Sequence, residues 1–244
     1  MLNAIQSILI DRQSGASTLL ARFTSELDNI DEKELHQALT ALQITFPAMA
    51  VWTFAAAFFQ EQNFDRKSIE VFRAQILEAN DGLLKRAESV LADYATFLTL
   101  SRSTLVESYL KQRAINDEIK TVCAVSLPGE EGTHLQAELS KNGMEAECVQ
   151  DWELESALEP VDAVIMGADW LTDEMIINKW GSAMLVKQAE RLNKPVYILA
   201  ESFKHTSNRT FREEHFYQDW SDGFSRRKIK VLETIPRKSG IIVI

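Results

Sequence analysis

The feature that most constrains the fold of this chain is a change of sequence pattern near Tyr94. Beyond that residue, short apolar runs typical of strands alternate with amphipathic stretches typical of helices. Strands that alternate with helices build βαβ units, so the pattern predicts a doubly wound, mostly parallel sheet. The predicted strands are 95–100, 121–127, 145–149, 161–167 and 195–200, and the predicted helices are 104–114, 132–141 and 182–192.

The first part of the chain lacks this alternation and contains only two glycines and one proline. Its apolar residues recur at helical spacing, most clearly over 66–94. Asp31 followed by Glu34 has the spacing of an acidic capping box, which predicts the start of a helix. The predicted fold class is therefore α/β, with a helical N-terminal domain of about four helices (1–94) and a Rossmann-like domain (95–244).

The composition is that of an ordinary globular protein, with 45% apolar and 25% charged residues. The net charge of −10 gives no attraction to nucleic acid or to an anionic membrane, and the basic run 226–230 is interpreted as a solvated strand edge. Cys123 and Cys148 lie in strand-like runs, which predicts buried free thiols. The chain has no basic leader and no apolar run approaching ~20 residues, so we expect a cytoplasmic protein without membrane contact.

Several common motifs are absent from the sequence. There is no GxGxxG after a strand, no GxxxxGK loop, no GxSxG elbow and no paired Cys and His spacing for zinc. These absences argue against nucleotide-cofactor oxidoreductases and P-loop hydrolases. We therefore predict no cofactor and no metal.

Polar residues follow the predicted strands, at the edge where doubly wound sheets bind their ligands. Polar loops follow strands in any protein, so their convergence at one edge is what predicts a site. These loops are 99-TLSRST-104, 126-SLPGEEG-132, 167-GADW-170 and 200-AESFK-204.

Asp169 follows a run with the composition of a buried strand. A carboxylate there is either a turn former or a half-buried acid that transfers protons. Asn178 and Lys179 come shortly before a predicted helix, and Lys179 is either an exposed surface lysine or a charge for phosphate or sugar oxygens. Gly181 permits close approach of backbone to ligand, and the helix start at Ser182 would offer free N–H groups to an anion.

A second candidate anion site precedes the helix predicted from residue 104. Ser101, Arg102 and Ser103 supply hydroxyls and a guanidinium, either as a phosphate cradle or as an ordinary helix cap. Lys204 directly follows a strand and is expected to reach the same cleft. The segment 11-DRQSGAS-17 lies between two helical stretches, and its Gly15 indicates a break between them.

The order 167-GAD-169, 178-NKWGS-182 and 200-AESFK-204 resembles the signature of one superfamily. It unites the alpha, beta and delta subunits of eukaryotic translation initiation factor 2B, the methylthioribose-1-phosphate isomerases and the ribose-1,5-bisphosphate isomerases. The resemblance extends over nearly the whole chain. Further segments in family order are 11–17, 46–55, 99–103, 126–132 and 231–236.

The resemblance implies a helical domain, a Rossmann-like domain and pairing of two copies through the latter. The isomerases convert a phosphorylated aldose to a ketose with a Cys and an Asp. The resemblance places this Asp at Asp169 and neighbouring substrate contacts at Asn178, Lys179 and Lys204.

Some positions depart from the isomerase pattern. Ser101 replaces the cysteine, and a hydroxyl is a much poorer acid or base than a thiol. Leu127 replaces an arginine, which removes an expected phosphate contact. Arg102 is expected at the same edge of the cleft, where it could substitute for one missing arginine. The Arg-Gly-Ala motif of the helical domain is replaced by Ser14, Gly15 and Ala16.

Two functions are consistent with these residues. One is a regulatory, initiation factor 2B-like protein with a pocket for a sugar phosphate or a nucleotide phosphate. The other is an intramolecular aldose-ketose isomerase acting on a phosphorylated ribose of the ribose-1,5-bisphosphate or methylthioribose 1-phosphate type. A structural paralogue without a ligand is the third alternative. The expected partners are a phosphorylated small molecule, a second copy in a homodimer and, for a regulator, another protein.

Overall fold

The computed structural model describes residues 3–206, 211–221, 225–238 and 240–244. Helices dominate up to residue 90, and strands and helices alternate afterwards. The α-helices are α1 (Asn3–Ile10), α2 (Ala16–Glu26), α3 (Glu32–Thr45), α4 (Ala50–Glu61), α5 (Ser68–Val90), α6 (Thr104–Arg113), α7 (Glu131–Lys141), α8 (Leu154–Leu158) and α9 (Ser182–Arg191). The strands are β1 (Thr96–Leu100), β2 (Lys120–Ala124), β3 (Glu145–Val149), β4 (Ala163–Met166), β5 (Trp170–Leu171), β6 (Met175–Lys179), β7 (Val196–Ile198), β8 (Tyr217–Ser221), β9 (Arg226–Lys230), β10 (Leu232–Pro236) and β11 (Ile241–Val243).

Six strands form one parallel sheet in the order β11-β7-β4-β1-β2-β3. The chain leaves the central strand β1 toward β3, then returns to place β4 on the other side of β1. This is a doubly wound sheet, and the predicted fold class is confirmed. The strand order reverses between β1 and β4, so a crevice opens beyond their carboxyl ends.

The helical part contains five helices and no strand within residues 3–94. The capping box predicted for α3 is present, since Glu34 N donates to the Asp31 carboxylate at 2.7 Å and Asp31 N to the Glu34 carboxylate at 3.2 Å. Five α-helices form where about four were predicted, and the break between α1 and α2 lies within the predicted interruption at residues 11–17. Phe23 and Trp52 are fully buried in the core of this part.

Helix α5 belongs to two cores. Near its start, Ile69 and Phe72 pack in the core of the helical part. Near its end, Leu83 and Ala87 pack in the core on one face of the six-stranded sheet. The predicted boundary at residue 94 falls in the short connection between the end of α5 and the start of β1.

The segment between Asp169 and α9, for which no strand was predicted, contains two strands. Strands β5 and β6 pair antiparallel with each other, and β6 pairs with β10 in a second, three-stranded sheet. One of the two pairing partners of β6, strand β10, lies more than fifty residues further along the chain, and no local pattern indicates that pairing. Asn178 and Lys179 are consequently the last two residues of a strand and are buried.

The two cysteines differ in exposure. Cys123 is buried in β2 as predicted, and desolvation raises the pKa of its thiol to about 12. Cys148 is exposed, so the prediction of a buried thiol there is wrong. The reason is that β3 is an edge strand whose residues are largely uncovered. Among the described residues, no helix is both long and apolar enough to cross a membrane.

Candidate functional site

The carboxyl ends of β1 and β4 open into a cavity of about 190 Å³, called the switch-point cavity below. Loops of the helical part face the loops that follow the two strands. The cavity is lined by residues 11–17, 45–49, 100–104 and 167–169, and by Glu131, Asn178, Lys179, Lys204, His215, Tyr217, Gln218, Val231 and Leu232.

Asp169 joins the helical part to the sheet at this cavity. Its backbone carbonyl accepts a hydrogen bond from Ala50 N at 3.0 Å, and its carboxyl accepts one from the N–H of Ala16 at the start of α2. Desolvation raises the pKa of the carboxyl to about 6, although Lys204, the Ala16 N–H and Lys179 each lower it. An acid with a pKa near 6 exchanges protons readily near neutral pH.

Each lysine of the cavity already has a carboxylate partner. Lys179 Nζ lies 2.5 Å from Glu131 Oε1 at the start of α7. Lys204 Nζ lies 2.8 Å from Glu201 Oε2, with both side chains almost fully buried. Lys204 also donates to Ser17 Oγ at 3.0 Å, and that hydroxyl donates to Glu201 Oε1 at 2.8 Å. This second network connects α2 to the loop that follows β7.

Ser101 directly follows β1 and has a φ of 67°. A left-handed conformation at a residue other than glycine costs on the order of 1 kcal/mol. The Ser101 N–H donates to Ser126 Oγ at 2.6 Å, and this hydroxyl donates to the Ala124 carbonyl at 2.9 Å. These bonds hold the sharp turn that brings Ser101 to the cavity wall.

His215 also lines the cavity, although nothing near it in the sequence suggested a site. Its Nδ1 accepts a hydrogen bond from Arg212 N at 3.0 Å. One ring nitrogen is therefore already engaged by the backbone.

The loop after β1 meets the loop after β4 at Gly167. A Cβ at this glycine would lie 2.6 Å from Ser103 Oγ, closer than real contacts allow. Ser103 Oγ accepts from Val106 N at 3.5 Å and caps α6, while Arg102 Nε donates to Glu107 at 2.8 Å. The glycine thus permits the close approach of the two strand ends.

Gly181 and Ser182, predicted to contact the ligand, do not line the cavity. The carboxylate of Glu233 accepts hydrogen bonds from Gly181 N at 2.7 Å and Ala183 N at 2.9 Å. Ser182 Oγ accepts from Asn178 Nδ2 at 3.0 Å and donates to the Lys179 carbonyl at 2.7 Å. A carboxylate of the protein thus occupies the position at the start of α9 where a ligand anion was predicted.

The other predicted site residues come together around the cavity. Glu131 and Glu201, which sequence reasoning did not single out, lie inside two loops that it did mark. No motif or spacing in the sequence marked Tyr217 and His215 as site residues, because only the tertiary fold brings them to the cavity. The predicted residues that line the cavity are Ser14, Gly15, Ala16, Ser101, Arg102, Ser103, Asp169, Asn178, Lys179 and Lys204.

A sequence model of the initiation factor 2 subunit family matches residues 16–240. The chain belongs to this family. A putative translation initiation factor eIF-2B subunit 2-like protein of Pyrococcus horikoshii is 26% identical over 218 residues, which are 84% of this chain and 79% of the relative. The ribose 1,5-bisphosphate isomerase of Archaeoglobus fulgidus is 26% identical over 128 residues, which are 52% of this chain and 41% of that enzyme. The resemblance predicted from the sequence is confirmed.

Solved structures show the same fold. The translation initiation factor eIF-2B of Pyrococcus horikoshii OT3 has a TM-score of 0.81 at 23% identity, covering 97% of this chain and 92% of that one. A chain of the tetrameric eIF2B-beta2-delta2 complex from C. thermophilum has a TM-score of 0.75 at 14% identity, covering 99% and 91%. The latter shows that an eIF2B-like relative assembles into an oligomer.

Proposed function

We propose that the switch-point cavity binds a phosphorylated sugar or a nucleoside phosphate and that this family member acts as a ligand-sensing regulator. The observation that carries the proposal is the meeting of Asp169, Lys179 and Lys204 at the switch point of a doubly wound sheet. Ligands of such sheets bind at this position.

The rim of the cavity supports binding of a phosphate. Arg102 lies beside the start of α6, where unpaired N–H groups and the helix dipole favour an anion. Thr104 adds a hydroxyl, and its Oγ1 lies 2.9 Å from that of Thr18 in α2. A phosphate here would contact both parts of the chain.

A regulatory role is favoured by how the cavity is built. Asp169 contacts the starts of α2 and α4, and Lys204 contacts Ser17, so a ligand would stabilise the junction of the two parts. The serine at the position of the isomerases' cysteine disfavours efficient isomerisation. Regulation implies a protein partner, and we propose a homodimer as the basic assembly and the cytoplasm as its location.

Aldose-ketose isomerisation is the second candidate, favoured by the state of Asp169. A carboxyl with a pKa of about 6 suits the transfer of a proton between neighbouring sugar carbons. Ser101 would have to provide the opposing group.

Ligand binding is tested by a thermal-shift screen of nucleoside monophosphates, ribose 5-phosphate, ribose 1,5-bisphosphate and methylthioribose 1-phosphate. A ligand at one hundred times its Kd adds about 2.7 kcal/mol to the free energy of unfolding. Lys179→Ala should weaken binding by about 1.5–3 kcal/mol, the range for hydrogen bonds to charged groups, because it leaves the Glu131 carboxylate unpaired inside the cavity. Lys187→Ala, on the exposed side of α9, is the matched control. If no ligand stabilises the protein, the proposal is wrong.

The two candidates are separated by turnover. For the isomerase, Asp169→Asn abolishes ketose formation and retains binding, because the amide keeps the shape but accepts no proton. Ser101→Cys should then raise the rate. Binding without ketose formation in the wild type and the cysteine variant supports the regulator.

A further inference from the structure

The positive charge inside the switch-point cavity is neutralised before any ligand arrives. Lys179 is paired with Glu131 and Lys204 with Glu201, and all four side chains are largely buried. Asp169 adds a third carboxyl to the same interior. A site shaped for two phosphates would need lysines without these partners.

One of the two carboxylate oxygens of Glu131 has no hydrogen-bond donor among the described residues. Its Oε1 pairs with Lys179, but its Oε2 is buried and has no hydrogen-bond partner within the described part of the chain. A buried acceptor without a donor costs free energy, and a hydroxyl or amine of a ligand would satisfy it.

The backbone of the loop before α7 lies next to this carboxylate. A Cβ at Gly129 would lie 2.6 Å from Glu131 Oε1, so the backbone packs directly against the carboxylate. The glycine at position 129 therefore leaves room for the Glu131 carboxylate beside the backbone of this loop.

The guanidinium groups lie at the rim. Arg102 is 42% exposed, although it is paired with Glu107. Arg12 lies 5.2 Å from the ring centre of Phe46, and its Nη1 donates to the carbonyls of Leu9 and Asp11. These side chains suit one phosphate at the entrance. Both interior lysines are already paired with carboxylates, so neither is available to a second phosphate.

Building on the proposed function, we infer that Glu131 selects the charge of the ligand. The cavity takes a monophosphate whose body offers hydroxyl or amine donors, and it disfavours a ligand with a second phosphate. A second phosphate directed to Lys179 would lie beside the Glu131 carboxylate, and like charges brought together in a desolvated site repel strongly.

The experiment is isothermal titration with two matched ligand pairs. Ribose 5-phosphate is compared with ribose 1,5-bisphosphate, and adenosine 5′-monophosphate with adenosine 3′,5′-bisphosphate. In the wild type, the monophosphate of at least one pair should bind about tenfold or more tightly than its bisphosphate, a difference of about 1.4 kcal/mol.

Glu131→Gln keeps the shape of the side chain and removes its charge. It should raise the affinity for the bisphosphate by about tenfold and change that for the monophosphate much less. Glu130→Gln is the matched control, because this exposed neighbour changes the net charge equally without lining the cavity.

The outcomes separate the inference from the proposed function. Equal or tighter binding of the bisphosphates by the wild type overturns the inference and leaves a phosphate-binding cavity. An unchanged preference in a folded Glu131→Gln variant also overturns it. If no phosphorylated ligand binds, both fail. The wild-type comparison decides even if the variant does not fold.

Discussion

Asp169 combines a structural and a chemical role in one residue. Its backbone and carboxyl accept hydrogen bonds from the starts of two helices, while the desolvated carboxyl faces the cavity. The hydrogen bond and the lysines do not compensate fully for desolvation, so the ionised form is held at a cost in stability.

The pH dependence of stability should reveal this cost. Between pH 4 and 6 the folded protein holds a proton on Asp169 that the unfolded chain has lost, because the pKa is about 6 against 3.8. This contribution is fully present below pH 4 and is lost as the pH rises through 6. Asp169→Asn should therefore gain on the order of 2 kcal/mol relative to the wild type from pH 4 to 7.

The measurement is urea denaturation of both proteins without ligand at several pH values. Asp173→Asn, an exposed acid nearby, serves as the control. A constant difference in unfolding free energy between wild type and Asp169→Asn across this range would contradict the raised pKa.

At the scale of elements, the start of α9 is stabilised by a carboxylate from β10. Glu233 accepts hydrogen bonds from two N–H groups that have no acceptor within the helix. Glu233→Ala should lower the free energy of unfolding by about 2 kcal/mol, because it removes a cap and two charge-assisted bonds. Chemical denaturation measures this, with exposed Glu118→Ala as the control. A loss below about 0.5 kcal/mol, as at ordinary surface sites, would show that the cap is unimportant.

The contact between Gly167 and α6 gives a second prediction at this scale. Gly167→Ala should destabilise the protein by about 1–3 kcal/mol, because the new methyl group would overlap Ser103 and separate the two strand ends. Adding Ser103→Gly removes the overlapping side chain and should recover most of the loss. Ser103→Gly alone should cost only a few tenths of a kcal/mol, since glycine is tolerated at a helix cap. Stability is measured by thermal denaturation. If the double variant is no more stable than Gly167→Ala, overlap with Ser103 is not the cause of the destabilisation.

At the scale of the whole molecule, α5 connects the two parts of the chain, because it packs in both the helical core and a core of the six-stranded sheet.

The sheet part leaves large apolar side chains exposed, including Trp152 at 74% and Trp180 at 46%. We predict a homodimer that buries more than about 1,000 Å² in all, as stable interfaces do. Light scattering at tens of micromolar should give twice the mass of the 27.7 kDa chain. A monomeric mass would refute it.

The sequence by itself determined strands β1 to β4 and β7, helices α6, α7 and α9, and much of the cavity wall. Helical spacing up to residue 90, the Asp31 capping box and the alternation beyond Tyr94 are local patterns, and local patterns decide secondary structure. Parallel strands bring their carboxyl ends to one edge, so the sequence predicted that Ser101 and Asp169 would line the same cavity, as they do.

Only the tertiary structure decided which groups pair. Glu131 reaches Lys179 across 48 positions and Glu233 reaches Gly181 across 52, and no local spacing encodes either contact. Strand β6 pairs with β10 from the end of the chain as well as with the neighbouring β5, and the sequence pattern did not predict it. Periodicity reports which face of an element is buried, whereas the order of strands decides which distant side chains meet. The charge inside the cavity depends on these contacts, because Glu131 and Glu201 neutralise the two lysines.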